Sequence, residues 1–282
     1  MNRNSDLRFA SPPYLLRAAL VALLVLALVA PMNFVLIRPG APTPLFPKVL
    51  ELKNIKSYPV KGQLYLLTIL ITNPETSVFG AEVLGCWAKG DCVVAPRSTY
   101  YTRESTNEKE FEEGSKDMEQ SQNSAIDAAA NYIADEFPEI NISTFNDKSL
   151  TVALENTGGP SGGLVFAIGL VELLTPSNIL QGRKIAGTGT ISADGKVGPI
   201  GGVVEKIVGA KSVGAEIIFI SKANCGELPN AVEGISVVAV STLAQALAYL
   251  RDDASASPLA KTGAGNSGLS SAGIQGCASV GA

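Results

Sequence analysis

The chain of 282 residues contains no histidine at all. That absence excludes a serine–histidine nucleophile pair, and with no imidazole and one close cysteine pair a zinc site is not expected either. Charged residues make up 17% and aromatics 6% of the chain, the formal net charge is -4, and no basic stripe is present, so nucleic-acid binding has no electrostatic footprint here. There is no G-x-x-x-x-G-K-[ST] phosphate loop and no G-x-G-x-x-G opening a helix after a strand, which leaves ATP and dinucleotide binding without support. Internal repeats are missing as well.

Apolar residues are in surplus, and the surplus is concentrated at the N-terminus. From Ala18 to Ile37 the chain carries no charge, over roughly the twenty residues that a helix needs to cross a bilayer. Arg3, Arg8 and Arg17 precede the run, so the positive-inside bias puts the N-terminus in the cytoplasm and the rest outside. Pro31 directly after Ala30 is a poor cleavage context, and the apolar run resumes beyond it. The expectation is a cytoplasmic segment over 1–14 and an uncleaved transmembrane anchor over 15–37. A proline-rich extended linker follows over 38–48. The folded part then spans 49–253, and residues 254–282, poor in large apolar groups, read as a disordered tail. Cys86 and Cys92 could close a small disulfide loop in an oxidising compartment, whereas Cys225 and Cys277 have no predictable partner.

Within 49–253 elements of both kinds alternate, which gives a mixed α and β class. Gln63 to Thr72 reads as one strand stopped by Asn73-Pro74. Met118, Ala125, Ala129, Ile133 and Phe137 fall on one face of a helix over Ser115 to Glu136. The acidic cluster Glu108 to Glu113 just before it reads as a solvated face or a loop. Ser149 to Leu154 is a short strand, and Leu164 to Leu174 is apolar all round, as a central buried helix would be. Ala193-Asp194-Gly195 is a hairpin turn between strands 184–192 and 196–200. Val203 to Val213 is a helix stopped at Gly214. Strands over 216–221 and 237–240 and a closing helix over 242–251 complete the pattern.

With histidine gone, the remaining nucleophile chemistry is Ser-Lys. Ser161 lies in Gly158-Gly159-Pro160-Ser161-Gly162-Gly163. Gly162 and Gly163 offer a substrate backbone close approach, and amides at a helix start suit a developing oxyanion. A Gly-Pro-Ser-Gly turn is also an ordinary helix start with serine as its cap. Lys206 stands among Val203, Val204, Ile207 and Val208, where an ammonium is poorly hydrated and its pKa can fall; a snorkelling surface lysine has the same composition. Lys211, near the helix end, reads as a solvated cation. Thr188 could hydrogen-bond the Lys206 amine, or be a plain sheet residue.

Gly159-Pro160-Ser161-Gly162-Gly163, followed by the stretch from Ala186 through Ala193-Asp194-Gly195 and Gly198-Pro199-Ile200-Gly201-Gly202 to Lys206, resembles the proteolytic domain of Lon proteases. The likeness runs from about Gln63 to Leu250. It implies that family's α+β fold, with Ser161 as nucleophile, Lys206 as general base, Thr188 supporting the lysine, and no metal or other cofactor. It also implies polypeptide substrates and a ring of subunits, possibly a hexamer. Thr188-Gly189-Thr190 departs from the family's common Thr-Gly-Glu, and no AAA+ ATPase module is present. The wording and the anchor are closer to membrane-anchored, ATP-independent bacterial Lon-like proteases, which usually carry a PDZ insertion; residues 137–150 leave no room for one.

The expected function is thus a membrane-anchored serine endopeptidase with its catalytic domain outside the cytoplasm, independent of ATP, cleaving unfolded or extended polypeptides. The rival is a catalytically silent scaffold or binding module of the same fold. A signal-peptidase-type enzyme fits poorly because Ser161 is far from the apolar segment. A penicillin-binding protein is disfavoured because the chain has no Ser-x-x-Lys.

Overall fold

The structure is a computed structural model that describes residues 13–47, 49–52, 55–142, 150–152, 154, 157–255 and 274–277. The N-terminal part contains α1 (Tyr14–Val29), β1 (Pro31–Met32), β2 (Phe34–Pro39), β3 (Thr43–Pro44), β4 (Leu50–Leu52), β5 (Gln63–Leu66), β6 (Ile69–Ile71), β7 (Val78–Phe79), α2 (Gly80–Lys89) and β8 (Val93–Pro96). After it come α3 (Asn107–Glu136), β9 (Leu150–Val152), α4 (Gly163–Leu174), β10 (Lys184–Gly187), β11 (Thr190–Ile191), β12 (Val197–Gly198) and α5 (Val203–Ser212). β13 (Ile217–Ser221), β14 (Ser236–Val240), α6 (Leu243–Ser255) and β15 (Ile274–Gln275) close the order.

The spine is a six-stranded sheet in the order β15-β14-β13-β10-β5-β3. Its neighbours run parallel except β3, which is antiparallel to β5. β13 reads Ile217-Ile218-Phe219-Ile220-Ser221 and is buried throughout, as a strand covered on both faces must be. The alternation of side chains sorts these residues: Ile217 and Phe219 join the core under α3, α4 and α6, while Ile218 and Ile220 join the smaller core under α5. Every residue of α4 is buried, and its one polar side chain, Glu172, accepts the Ile179 amide at 2.7 Å. Each fully buried Leu, Ile, Val or Phe of that helix contributes about 1.5–3 kcal/mol, so α4 is the centre of the fold.

α3 begins earlier than its apolar periodicity predicts. The Thr106 side chain caps it by accepting the Lys109 amide, and Glu108 and Glu110 sit in the first turn, where carboxylates favour the positive helix end. The acidic cluster is therefore helix rather than loop. Gln63 to Thr72 is not one strand but two, β5 in the spine and β6 in a second sheet of order β6-β2-β8.

Three further expectations are corrected. The apolar run 15–37 is not one helix. Pro31 cannot donate to a helical carbonyl and drives the residue before it out of the helical region, so Ala30 is extended (ψ 132°) and α1 is 16 residues long. Phe34, Val35, Leu36 and Ile37, good strand formers, build β2 instead, with Val35 and Leu36 buried. No described helix is long and apolar enough to cross a membrane. The linker over 38–48 is part of the fold: Thr43–Pro44 pair with β5, and Leu45 is fully buried with Phe46 beside it. Proline is tolerated there because β3 is an edge strand. The tail is not wholly unstructured either. Ile274–Gln275 extend the spine beside β14, and Cys277 is disulfide-bonded to Cys225; most of the rest of 254–282 lies outside the described residues. Cys86 is bonded to Cys92.

Candidate active site

Ser161 is the middle residue of a single 3-10 turn, Pro160–Gly162, that runs straight into α4. The turn is held from two sides. Ser121 on α3 donates its hydroxyl to the Pro160 carbonyl at 2.9 Å, and the Gly159 amide donates to the Gly114 carbonyl at 2.8 Å. Gly159 has φ 91°, a conformation that side-chain-bearing residues rarely adopt. From the other side, the Ser161 carbonyl accepts the Gly189 amide at 2.9 Å and the Thr188 hydroxyl at 3.2 Å. These bonds use only the main chain of Ser161; its hydroxyl makes no hydrogen bond among the described residues and is half-buried. The cap position of α4 is Gly162 with no side-chain cap bond, so the reading of Ser161 as a helix cap does not hold. Gly162 has a packing reason: a Cβ there would stand 2.7 Å from Leu66 Cδ1.

Lys206 comes from the opposite wall. Gly202 is the N-cap of α5, its φ of 67° lets the chain turn sharply out of Gly198 to Gly201, and the Lys206 amide donates to the Gly202 carbonyl at 3.0 Å. The side chain is 2% exposed and its Nζ donates to Thr188 Oγ1 at 3.2 Å. It does not snorkel. Burial lowers its pKa from 10.5 to about 8, because the ammonium loses hydration that nothing charged replaces. Lys211, by contrast, is exposed.

Thr188 joins the two. Its amide donates to the Phe219 carbonyl at 2.9 Å at the end of β10, and its fully buried hydroxyl donates to the Ser161 carbonyl while accepting from Lys206. That hydrogen-bond direction leaves the lone pair of a neutral Lys206 amine unused by Thr188. Ser161 Oγ and Lys206 Nζ are not directly bonded to each other; both residues line one cleft of about 860 Å³. Removing the Thr188 hydroxyl strands a buried donor, a penalty of about 1–3 kcal/mol. Thr188→Val is expected to lower kcat/KM on the order of ten- to a hundredfold and to move the pH profile downward, since an acceptor for the ammonium is lost. Thr188→Ser should restore both; an unmoved pH midpoint in Thr188→Val would show that the hydroxyl only packs.

The cleft also collects residues that carry no sequence motif: Ile69, Ile71, Tyr101 and Phe111. Glu108, Glu110, Glu113 and Asp117 of α3 line it too, and Lys206 is the one cationic side chain among the described lining residues. A smaller recess of about 150 Å³ opens beside Ser161 and Gly162, walled by Leu66, Leu67, Ile69 and Met118. No group of three or more acidic or cysteine ligands capable of holding a metal occurs among the described residues.

A half-buried serine on a tight turn, a desolvated lysine and a hydroxyl between them have the parts that a Ser-Lys hydrolase requires, carried on a mixed α and β scaffold. Residues 116–251 match the family model of the Lon protease (S16) C-terminal proteolytic domain. That stretch is similar to this family, and the observed mixed α and β fold fits it. Similar proteins include Lon protease 2 of Bacillus subtilis, 37% identical over 89 residues, or 32% of this chain and 16% of the relative. The mitochondrial Lon protease homolog of Yarrowia lipolytica is 46% identical over 88 residues, 30% of this chain and 7% of the relative. Lon protease of Flavobacterium johnsoniae is 33% identical over 99 residues, 34% and 12% of the two chains. The match therefore spans only a small part of each of these much longer relatives.

Proposed function

We propose that the chain is a serine endopeptidase that works without ATP, held at a membrane by α1, with its catalytic domain outside the cytoplasm. The observation that carries the catalytic reading is the burial of Lys206 against Thr188, in one cleft with Ser161. A lysine with pKa about 8 is neutral in about one molecule in ten at pH 7, against fewer than one in a thousand for an ordinary lysine. Neutral Lys206 takes the Ser161 proton as Oγ attacks the scissile carbonyl. The amides of Ser161 and Gly162, at the start of α4, hold the oxyanion. Lys206 then gives its proton to the leaving amine, and water resolves the acyl-enzyme by the same steps in reverse. The recess beside Ser161 takes an aliphatic side chain of the substrate, and the open cleft along β6 takes an extended chain rather than a folded one.

Support for the location comes from the exposed apolar surface of α1, from Arg3, Arg8 and Arg17 before or within it, and from the two disulfides, which suit an oxidising compartment. Assembly of copies into a ring, as in the family, would restrict access to the cleft. The full chain in detergent is expected to digest a reduced, denatured protein at the same rate with and without ATP, and to leave the folded form of that protein intact. Digestion that needs ATP, or none under any condition, would overturn this reading; the second result favours a silent scaffold.

A further inference from the structure

We infer that the outward face of α2, led by Trp87 and Leu84, is a lipid contact that lies in the interfacial layer of the same bilayer that takes α1. This rests on the reading of α1 as membrane-embedded, and goes beyond it by assigning a second element to the membrane.

α2 is apolar on the wrong side for a helix that faces water. Its inward positions are already used, with Gly80 and Cys86 buried and Val83 packed with Leu36 and Val78. The outward positions are Ala81, Leu84, Gly85, Trp87 and Ala88, with only Glu82 and Lys89 as polar exceptions. Trp87 is 80% exposed and Leu84 52%, and Phe79 at the start of the helix adds a third exposed ring or branch. Lone exposed apolar residues are ordinary, but a contiguous patch marks an interaction surface.

The occupant follows from where the patch is fixed. β1, the first strand after α1, pairs antiparallel with β7, the strand that leads into α2, with Pro31 opposite Phe79 and Met32 opposite Val78. Gly80 then lies against the Ala27 carbonyl with no room for a Cβ. The α2 helix thus starts beside the last turn of α1, at the end where the chain leaves the apolar helix. Sixteen residues of α1 rise about 24 Å, against about 30 Å of bilayer hydrocarbon. A short helix is accommodated by thinning the bilayer and drawing flanking residues into it, and the apolar residues nearest that end are those of α2. Tryptophan, apolar in body with one polar N–H, favours the layer where headgroups meet acyl chains. The bond from Cys86 to Cys92 ties the end of α2 next to Trp87 back to β8, so the ring is presented on a fixed scaffold.

Trp87 is the only tryptophan in the chain, so tryptophan emission, excited selectively over tyrosine, reports on this face alone. The full chain is reconstituted into phosphatidylcholine vesicles with and without acyl-brominated lipid, floated on a density gradient, and its emission measured. The expected result is co-flotation, loss of most Trp87 emission with bromines placed near the headgroup, and weak quenching by acrylamide. Leu84→Asp should restore much of the emission without changing flotation or peptidase activity. Co-flotation with no bromine quenching would overturn the inference while leaving the anchor intact, whether Trp87 proves open to acrylamide or is covered by a second copy of the chain. Failure to float would overturn the anchor and this contact together.

Discussion

Ser161→Ala is expected to abolish digestion of a denatured protein while leaving the fold untouched. In the free protein the Ser161 hydroxyl makes no hydrogen bond among the described residues. The turn is held instead by the carbonyls of Pro160 and Ser161 and by the amide of Gly159. Alanine keeps all of these, so the change in stability should stay within about 0.5 kcal/mol. The activity, in contrast, should fall on the order of 10⁶-fold, as when a serine peptidase loses its nucleophile. Both readouts matter. A variant that unfolds reports on the turn rather than on chemistry, whereas a folded variant that still digests at the wild-type rate would take the nucleophile away from Ser161.

The two turns that carry Ser161 and Lys206 were legible in the sequence because both residues sit in short glycine-rich frames whose backbone needs are local. Gly159 and Gly202 supply positive φ at the two turns, and the apolar neighbours of Lys206 announce a buried amine. The hydroxyl of Thr188 could be named but not oriented, since its two partners come from the turn before α4 and from α5 and meet only once the spine sheet is assembled. The walls of the cleft were not legible. Ile69 and Ile71 look like the continuation of β5, and only the break after Leu66 sends them into another sheet. Glu110 and Phe111 belong to the first turns of α3, which the apolar stripe does not cover because the side chains of that part of the helix are largely exposed.

The largest errors share one cause. Hydropathy and proline content are read along the chain, but burial depends on what lies across it. The run Ala18 to Ile37 is uniformly apolar, yet Pro31 divides it into an exposed helix and a strand buried between β6 and β8. The stretch Arg38 to Pro47 looks like a spacer, yet it carries Leu45 into the main core. Ile274 and Cys277 stand alone in a polar tail, and only the exposed edge of β14 and the thiol of Cys225 give them partners. No local pattern contains that information.

Lys206→Met should remove activity and make the protein more stable, a combination that separates a catalytic amine from a structural one. Methionine fills a similar volume among Val203, Ile207 and their neighbours without a charge to desolvate. In the native state the Lys206 pKa is lowered to about 8 from 10.5, so below pH 8 both states carry the proton and the native one bears the full desolvation penalty, about 3 kcal/mol at 1.36 kcal/mol per unit. Between pH 8 and the unfolded value the native state releases its proton first. Wild-type stability therefore rises with pH relative to the variant, and the advantage of Lys206→Met disappears above that window. Wild-type kcat/KM should climb through the same titration with a midpoint near pH 8, since it reports the base in the free enzyme. Denaturant unfolding of both proteins at pH 7 and pH 10, beside a pH–rate profile, measures all three effects. A variant that keeps its activity, or a stability gap that widens as pH rises, would show that Lys206 is not a desolvated base.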